Sequence, residues 1–295
     1  MNNILLDYCP DCISIIDENN IVVSTYDFIN DDTKAGVLLL LNKTLNIIDK
    51  LDCDGILHFK IINNQISLCT WKGDVWTVEI KDNKFHLKNK QSFVECFQDI
   101  KLLYLDCNAQ QSLLLGGDNG EVILQKEEEG QIIYQQKSHE YSVWCTLLDN
   151  TNQDLFYSGS DDACLNYYDA RIGLLRKDRK SHSQGITYLL NDGEHNLITG
   201  SFDGYIRIFD KRQPNFPTEE YKREGGIWRI IKRGNLYLNG LFQEHKYELI
   251  EINNKQVSIL QEFKEHTSLA YAMDWYNNLI VTSSFYDKQL RSYTI

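Results

Sequence analysis

Leu197-Ile-Thr-Gly-Ser-Phe-Asp-Gly-Tyr-Ile-Arg-Ile-Phe-Asp210 decides the fold. Alternating residues run on either side of Asp203-Gly204, a dipeptide suited to a tight hairpin turn. The reading is a half-buried strand on each side of that turn. The phrase recurs upstream as Phe156-Tyr-Ser-Gly-Ser-Asp-Asp-Ala-Cys-Leu-Asn-Tyr-Tyr-Asp169 and downstream as Ile280-Val-Thr-Ser-Ser-Phe-Tyr-Asp-Lys-Gln-Leu-Arg-Ser-Tyr293. Acidic turns mark its period: Asp27, Asp74, Asp118, Asp162, Asp203, a degenerate turn at Gln243-Glu244, and Asp287. The steps between them are 47, 44, 44, 41, 41 and 43 residues. A strand-turn-strand unit at that period predicts one all-β domain over residues 1–295, a seven-bladed β-propeller.

The repeats are of WD type. A histidine precedes three of the turns, His139 by 23 residues, and His182 and His266 by 21 each. In such blades the histidine leads into the first strand and bonds the turn aspartate, and a Ser or Thr with a strand-end aromatic completes the network. His139 with Asp162, His182 with Asp203, and His266 with Asp287 are therefore expected to be structural, every buried polar member having a partner. The chain ends one strand after Asp287, so the last blade lacks its outer strand. Residues 3–8 are expected to supply it by pairing with 290–295, which closes the ring and removes an exposed edge.

Composition bounds the function. The formal charge is −12, from 42 acidic and 30 basic residues. That argues against a nucleic-acid or membrane-surface binder and allows a basic protein partner. The N-terminus lacks a signal-type pattern and no apolar run approaches about 18 residues, so a cytoplasmic protein is expected; a monomer is expected as well. Eight cysteines scattered through predicted strands fit reduced, buried thiols. Cys9-Pro-Asp-Cys12 has metal-like or redox-like spacing without a matching second Cys or Cys/His pair, so no metal is expected. Glu127-Glu128-Glu129 reads as a solvated loop. No nucleophile elbow, zinc-protease helix, Walker loop or dinucleotide fingerprint is present.

The second half resembles the WD-repeat diphthine methylesterase family of diphthamide biosynthesis. The residues that carry the resemblance run in order: His139-Glu-Tyr-Ser-Val-Trp144, Tyr157-Ser-Gly-Ser-Asp-Asp162, Thr199-Gly-Ser-Phe-Asp203, Phe209-Asp-Lys-Arg212, Gly225-Gly-Ile-Trp-Arg229, His266-Thr-Ser-Leu-Ala-Tyr-Ala-Met-Asp-Trp275 and Ser283-Ser-Phe-Tyr-Asp287. Cys9-Pro10 and Ser24-Thr-Tyr26 look like the family's first blade, while residues 30–135 match only as generic blades. The chain departs from the family at Asn239-Gly-Leu-Phe-Gln-Glu-His245, at Ala272-Met273 and at Tyr293.

The resemblance implies hydrolysis of the methyl ester of methylated diphthine, a modified histidine on translation elongation factor 2. The product is diphthine, the substrate for the final amidation. It implies no cofactor, and other diphthamide-pathway proteins as further partners. The substrate's trimethylammonium group suits aromatic faces, worth about 0.5–2 kcal/mol per ring. Tyr26, Phe202 and Tyr286, each just before a turn aspartate, with Trp144 and Trp228, are the candidates for that cage. Ester hydrolysis also needs a nucleophile, a base and oxyanion stabilisation. Ser268 activated by His266 is one option, a His- or Asp-activated water another. Arg229 is placed to face the ester or the product carboxylate. Two alternatives stay open: a non-catalytic WD-repeat adaptor, including one that promotes diphthine amidation, and a methyl-lysine reader.

Overall fold

The turn at Asp203-Gly204 forms as expected. Gly204 takes φ +78° and donates its N–H to Ser201 O at 3.0 Å, and Asp203 Oδ1 accepts the Tyr205 N–H at 3.1 Å. Only a residue without Cβ adopts that φ at no steric cost. The flanking strands Asn196–Ser201 and Tyr205–Asp210 pair antiparallel, Thr199 opposite Arg207.

A computed structural model describes residues 1–30, 33–93, 100–109, 112–126 and 130–295. Glu127-Glu128-Glu129 and Cys96 lie outside the described residues. Every sheet among them is four-stranded and antiparallel, and there is no helix. The seven sheets span residues 9–54, 56–92, 102–137, 143–178, 186–222, 227–263 and 270–294 in chain order. The fold is an all-β, seven-bladed β-propeller. Its seventh sheet takes its outer strand from the N-terminus, Asn2–Leu5 pairing with Gln289–Thr294. That strand is shorter than the expected 3–8. The pairing starts at Asn2 opposite Ser292 and ends at Leu5 opposite Gln289. Leu6 then turns its side chain into the core, 5% exposed.

The chain divides into two compact units, residues 1–100 with 231–295, and residues 101–230. In the first unit, Ile13, Ile15, Val23, Leu39 and Leu41 pack against Ala272, Val281 and Leu290. Asp274 accepts the Ile15 N–H at 2.5 Å, tying the seventh sheet to the first. In the second unit, Tyr104, Cys145, Tyr157, Ile186, Leu197 and Phe209 share one cluster. There Asp106 accepts the Leu148 N–H at 2.7 Å, the same device between the third and fourth sheets.

Half-buried strands were expected beside the Asp203 turn. The structure corrects this: residues 197–201 are buried on both faces, and only the outer strand Glu219–Lys222 alternates. The reason is close stacking of sheets. A Cβ on Gly200 would lie 2.8 Å from Ile227, and one on Gly159 would lie 2.6 Å from Ile186. The glycine in each Ser-Gly-Ser or Thr-Gly-Ser phrase lets the next sheet's first strand nest against it.

Candidate functional site

First strands carry a β-bulge at one recurring step. It falls at Leu103, Trp144 and Thr187 in the second unit, and at Asp11 and Leu57 in the first. A bulge leaves one residue outside the pairing and re-aims its side chain. Trp144 is thereby half-buried rather than locked in the sheet, and its Nε1 is buried with no hydrogen-bond partner among the described residues. An orphaned buried donor costs about 1–3 kcal/mol unless something completes it.

Three of the expected cage residues meet within residues 101–230. Trp144 stands edge-on to Trp228 at 5.8 Å between centroids, and Phe202 stacks on Trp228 at 5.7 Å and 24°. Arg229 follows Trp228 and is 9% exposed. Its Cζ lies 4.8 Å from the Trp228 ring, 5.5 Å from Tyr104 and 5.8 Å from Tyr188. Its Nη1 donates to Thr187 O at 3.2 Å. Burial pushes the Tyr104 phenol well above its ordinary pKa, and Tyr188 adds to this while the Arg229 charge opposes it. A planar cation thus sits within an aromatic surround, the environment in which a guanidinium interaction gains most from desolvation.

The other expected cage residues lie in the first unit. Tyr26 packs against Phe285 at 5.1 Å, and Phe285 against Tyr286 at 5.1 Å. Tyr286 is 71% exposed. Beside them is a cage that sequence reading missed. Lys34 Nζ lies 3.9 Å from the Tyr26 ring centroid, 4.4 Å from Phe28 and 3.7 Å from Trp71. Lys34 is opposite Phe28 across a strand pair, a register that period alone does not reveal. This aromatic grouping already encloses a cation of the protein's own.

The histidines differ. His139 Nδ1 donates to Asp162 Oδ1 at 3.0 Å, which leaves Nε2 as acceptor toward Ser158 Oγ at 2.6 Å. Ser158 Oγ meets Tyr168 Oη at 2.8 Å, and Tyr168 Oη meets Ser138 Oγ at 2.6 Å. The order carboxylate, imidazole, hydroxyl is that of a catalytic triad, but Ser158 is fully buried and no substrate reaches it. Burial opposes ionisation of Asp162, yet the hydrogen bond from His139, with those from the Glu140 and Cys164 backbone N–H groups, outweighs it and holds the carboxyl well below its usual range.

The other two His–Asp bonds expected from spacing are not formed. Arg207 takes Asp203 at 2.9 Å, and His182 keeps only Thr199 at 2.9 Å. Asp287 accepts from Thr267 N and Oγ1 at 3.1 and 2.9 Å, and His266 keeps only Thr282 at 2.7 Å. Both Nδ1 atoms lack a partner among the described residues.

The structure also does not join Ser268 to His266. Ser268 Oγ instead accepts the Tyr286 N–H at 3.3 Å, and its own N–H donates to Ser284 Oγ at 3.2 Å. His266 is 4% exposed, its Nε2 turned into the sheet. Cys9 and Cys12 diverge as well. Cys9 Sγ donates to Asp27 at 2.8 Å and Cys12 Sγ to Phe59 O at 3.8 Å. Burial, with Asp27 beside it, pushes the Cys9 thiol up to about 12, so it stays protonated and unreactive near neutral pH. The described residues contain no cluster of three or more His, Cys, Asp or Glu suited to a metal, and no helix long and apolar enough to cross a membrane.

The family "WD domain, G-beta repeat" matches residues 174–210. A Schizosaccharomyces pombe protein named diphthine methyltransferase is 27% identical over 294 residues, covering 92% of this chain and 90% of that protein. The Homo sapiens protein of the same name is 28% identical over 190 residues, which span 60% of this chain and only 40% of the human protein. These relatives carry the diphthine name that the resemblance in the sequence led us to expect. Among solved structures, the WD40 β-propeller domain of Doa1 is similar with a TM-score of 0.74 at 14% identity, covering 98% of this chain and 94% of that one. That likeness concerns the fold alone.

Proposed function

We propose that this protein is a cytoplasmic carboxylic ester hydrolase that acts on the methyl ester of methylated diphthine on translation elongation factor 2 and needs no cofactor. The observation that carries the reading is the juxtaposition of Trp144, Phe202 and Trp228 with Arg229 inside one unit. The relatives' names supply the substrate class. A substrate with a quaternary ammonium next to a carboxyl ester needs aromatic faces for the cation and a guanidinium for the negative charge that develops on the ester oxygen and remains on the product carboxylate. Among the candidates, these four residues bring both together.

The chemistry follows from those roles. Water adds to the ester carbonyl, the bond from carbon to the methoxy oxygen breaks, and methanol leaves with one of the water's protons. The other proton is released as the acid ionises. Arg229 stabilises the oxyanion and then the product carboxylate. Trp144 Nε1–H, without a partner among the described residues, is the second donor we assign to the same oxygen. With Ser268 and His266 unjoined, activation of water is favoured over a serine nucleophile.

The relatives' names speak of methyl transfer, and an adaptor would bind without reacting. Intact mass of methylated-diphthine elongation factor 2, incubated with purified protein, separates the three. A time-dependent loss of about 14 Da, one CH₂ unit, with methanol released is the expected result. A gain of the same mass with a methyl donor present would replace hydrolysis with transfer. Binding with no mass change would leave the adaptor.

A further inference from the structure

The turn carboxylates are mostly committed. Asp27 holds Lys288 at 2.5 Å, Asp74 holds Lys90 at 3.1 Å, and Asp162 and Asp203 hold His139 and Arg207. Asp118 accepts the Lys101 N–H at 3.0 Å, and Asp287 accepts from Thr267. Asp161 differs. Its backbone N–H donates to Ser142 O at 3.1 Å, but its exposed carboxylate makes no hydrogen bond or ion pair among the described residues.

Asp161 sits beside the aromatic group. A Cβ on Gly185 would lie 2.6 Å from Asp161 Oδ1 and 3.4 Å from Phe202 Cδ2, so both border one small space that Gly185 leaves open. A side chain at Gly226 would likewise press on Phe202, within 3.1 Å of Cδ1. The two glycines leave Phe202 and the carboxylate room. The second unit therefore holds a free anion at its exposed end, half-buried rings behind it, and a buried guanidinium beyond Trp228. The alternative cage around Tyr26, Phe28 and Trp71 is filled by Lys34.

The geometry points to Asp161 as the residue that selects the charge of the ligand: its carboxylate faces the quaternary ammonium of a betaine-type head group whose carboxyl end meets Arg229. This rests on the hydrolase reading for the identity of the substrate, but not for its test. Aromatic faces attract any flat apolar or cationic group. A carboxylate beside those rings adds a term that only a cation collects, and it is screened because Asp161 is exposed.

The test uses the full chain and two probes, the methyl ester of α-trimethylammonio-butanoate and its neutral α-tert-butyl isostere. Dissociation constants are read from quenching of tryptophan fluorescence, with thermal melts to verify folding. Wild type is expected to prefer the cation by about tenfold, and Asp161→Asn to cut that preference about fivefold while leaving the neutral probe's affinity unchanged. Asp161→Glu is expected to restore most of it. Equal preference in wild type and Asp161→Asn overturns the inference, as does an equal loss for both probes or binding of neither. Asp161→Asn turnover collapsing with the charge preference intact would make Asp161 a general base instead. A wild type that shows the preference yet never demethylates elongation factor 2 would remove the hydrolase reading and leave the cation site standing.

Discussion

Arg207 explains why one histidine position has two outcomes in neighbouring sheets. A guanidinium brings a permanent charge to Asp203, which a neutral imidazole cannot match, so His182 is left with a hydroxyl partner. Burial then drives the His182 pKa down, with Arg207 adding to it, and burial takes His266 down to about 4. In the unfolded chain an imidazole titrates near 6.5. Between these values the unfolded state binds more protons, so stability is full above about pH 6.5 and falls as pH drops toward 4. Thermal melts from pH 7 to 4.5 are expected to show that slope, and His266→Asn, which keeps a donor for Thr282, should flatten it. An unchanged slope would mean that His266 is not the titrating group. Ser268 belongs to the same scale. Its hydroxyl serves the Tyr286 backbone, so Ser268→Ala is expected to keep turnover within about twofold of wild type. A loss of roughly 10³-fold or more would restore it as the nucleophile.

At the scale of elements, the bulge in the first strand and the borrowed last strand matter most. The bulge converts an alternating strand into one that presents Trp144 or Thr187 outside the ladder, so Trp144, like Trp228 and Arg229, is held by a strand, while Phe202 and Asp161 come from the turns that follow strands. The borrowed strand Asn2–Leu5 covers the edge of Gln289–Thr294, and Leu6 behind it fills the core cluster of the first and seventh sheets. Deleting residues 1–8 removes that ladder and buried apolar surface worth about 3–5 kcal/mol. Calorimetry should show one transition lowered by about 5–8 °C. A melt unchanged from wild type would mean that the strand contributes little to the seventh sheet.

For the whole molecule, the charge of −12 is the property with a direct consequence. It favours encounter with a basic surface and acts through the association rate. Association with modified elongation factor 2, followed by stopped flow, is expected to slow about tenfold between about 0.05 and 0.5 M salt, with the dissociation rate much less affected. A salt-independent association rate would show that the acidic surface plays no part in docking. The seven-sheet architecture was legible at this scale because each period states it again. A degenerate turn such as Gln243-Glu244 is then carried by its neighbours.

The sequence by itself determined the period, the turns, the all-β class and the use of the N-terminus to complete the last sheet. These depend on local backbone preferences and on spacing along the chain, which are written residue by residue. It also marked Trp144, Phe202, Trp228 and Arg229 as worth attention, though only through resemblance. Tertiary structure decided which of them meet. It separated Ser268 from His266, gave Asp203 to Arg207, and filled one aromatic cage with Lys34. It also left Asp161 uncommitted beside Phe202. Those outcomes turn on bulges that re-aim side chains and on competition between partners from different strands. Both are set by packing at distances of a few ångströms between residues far apart in sequence.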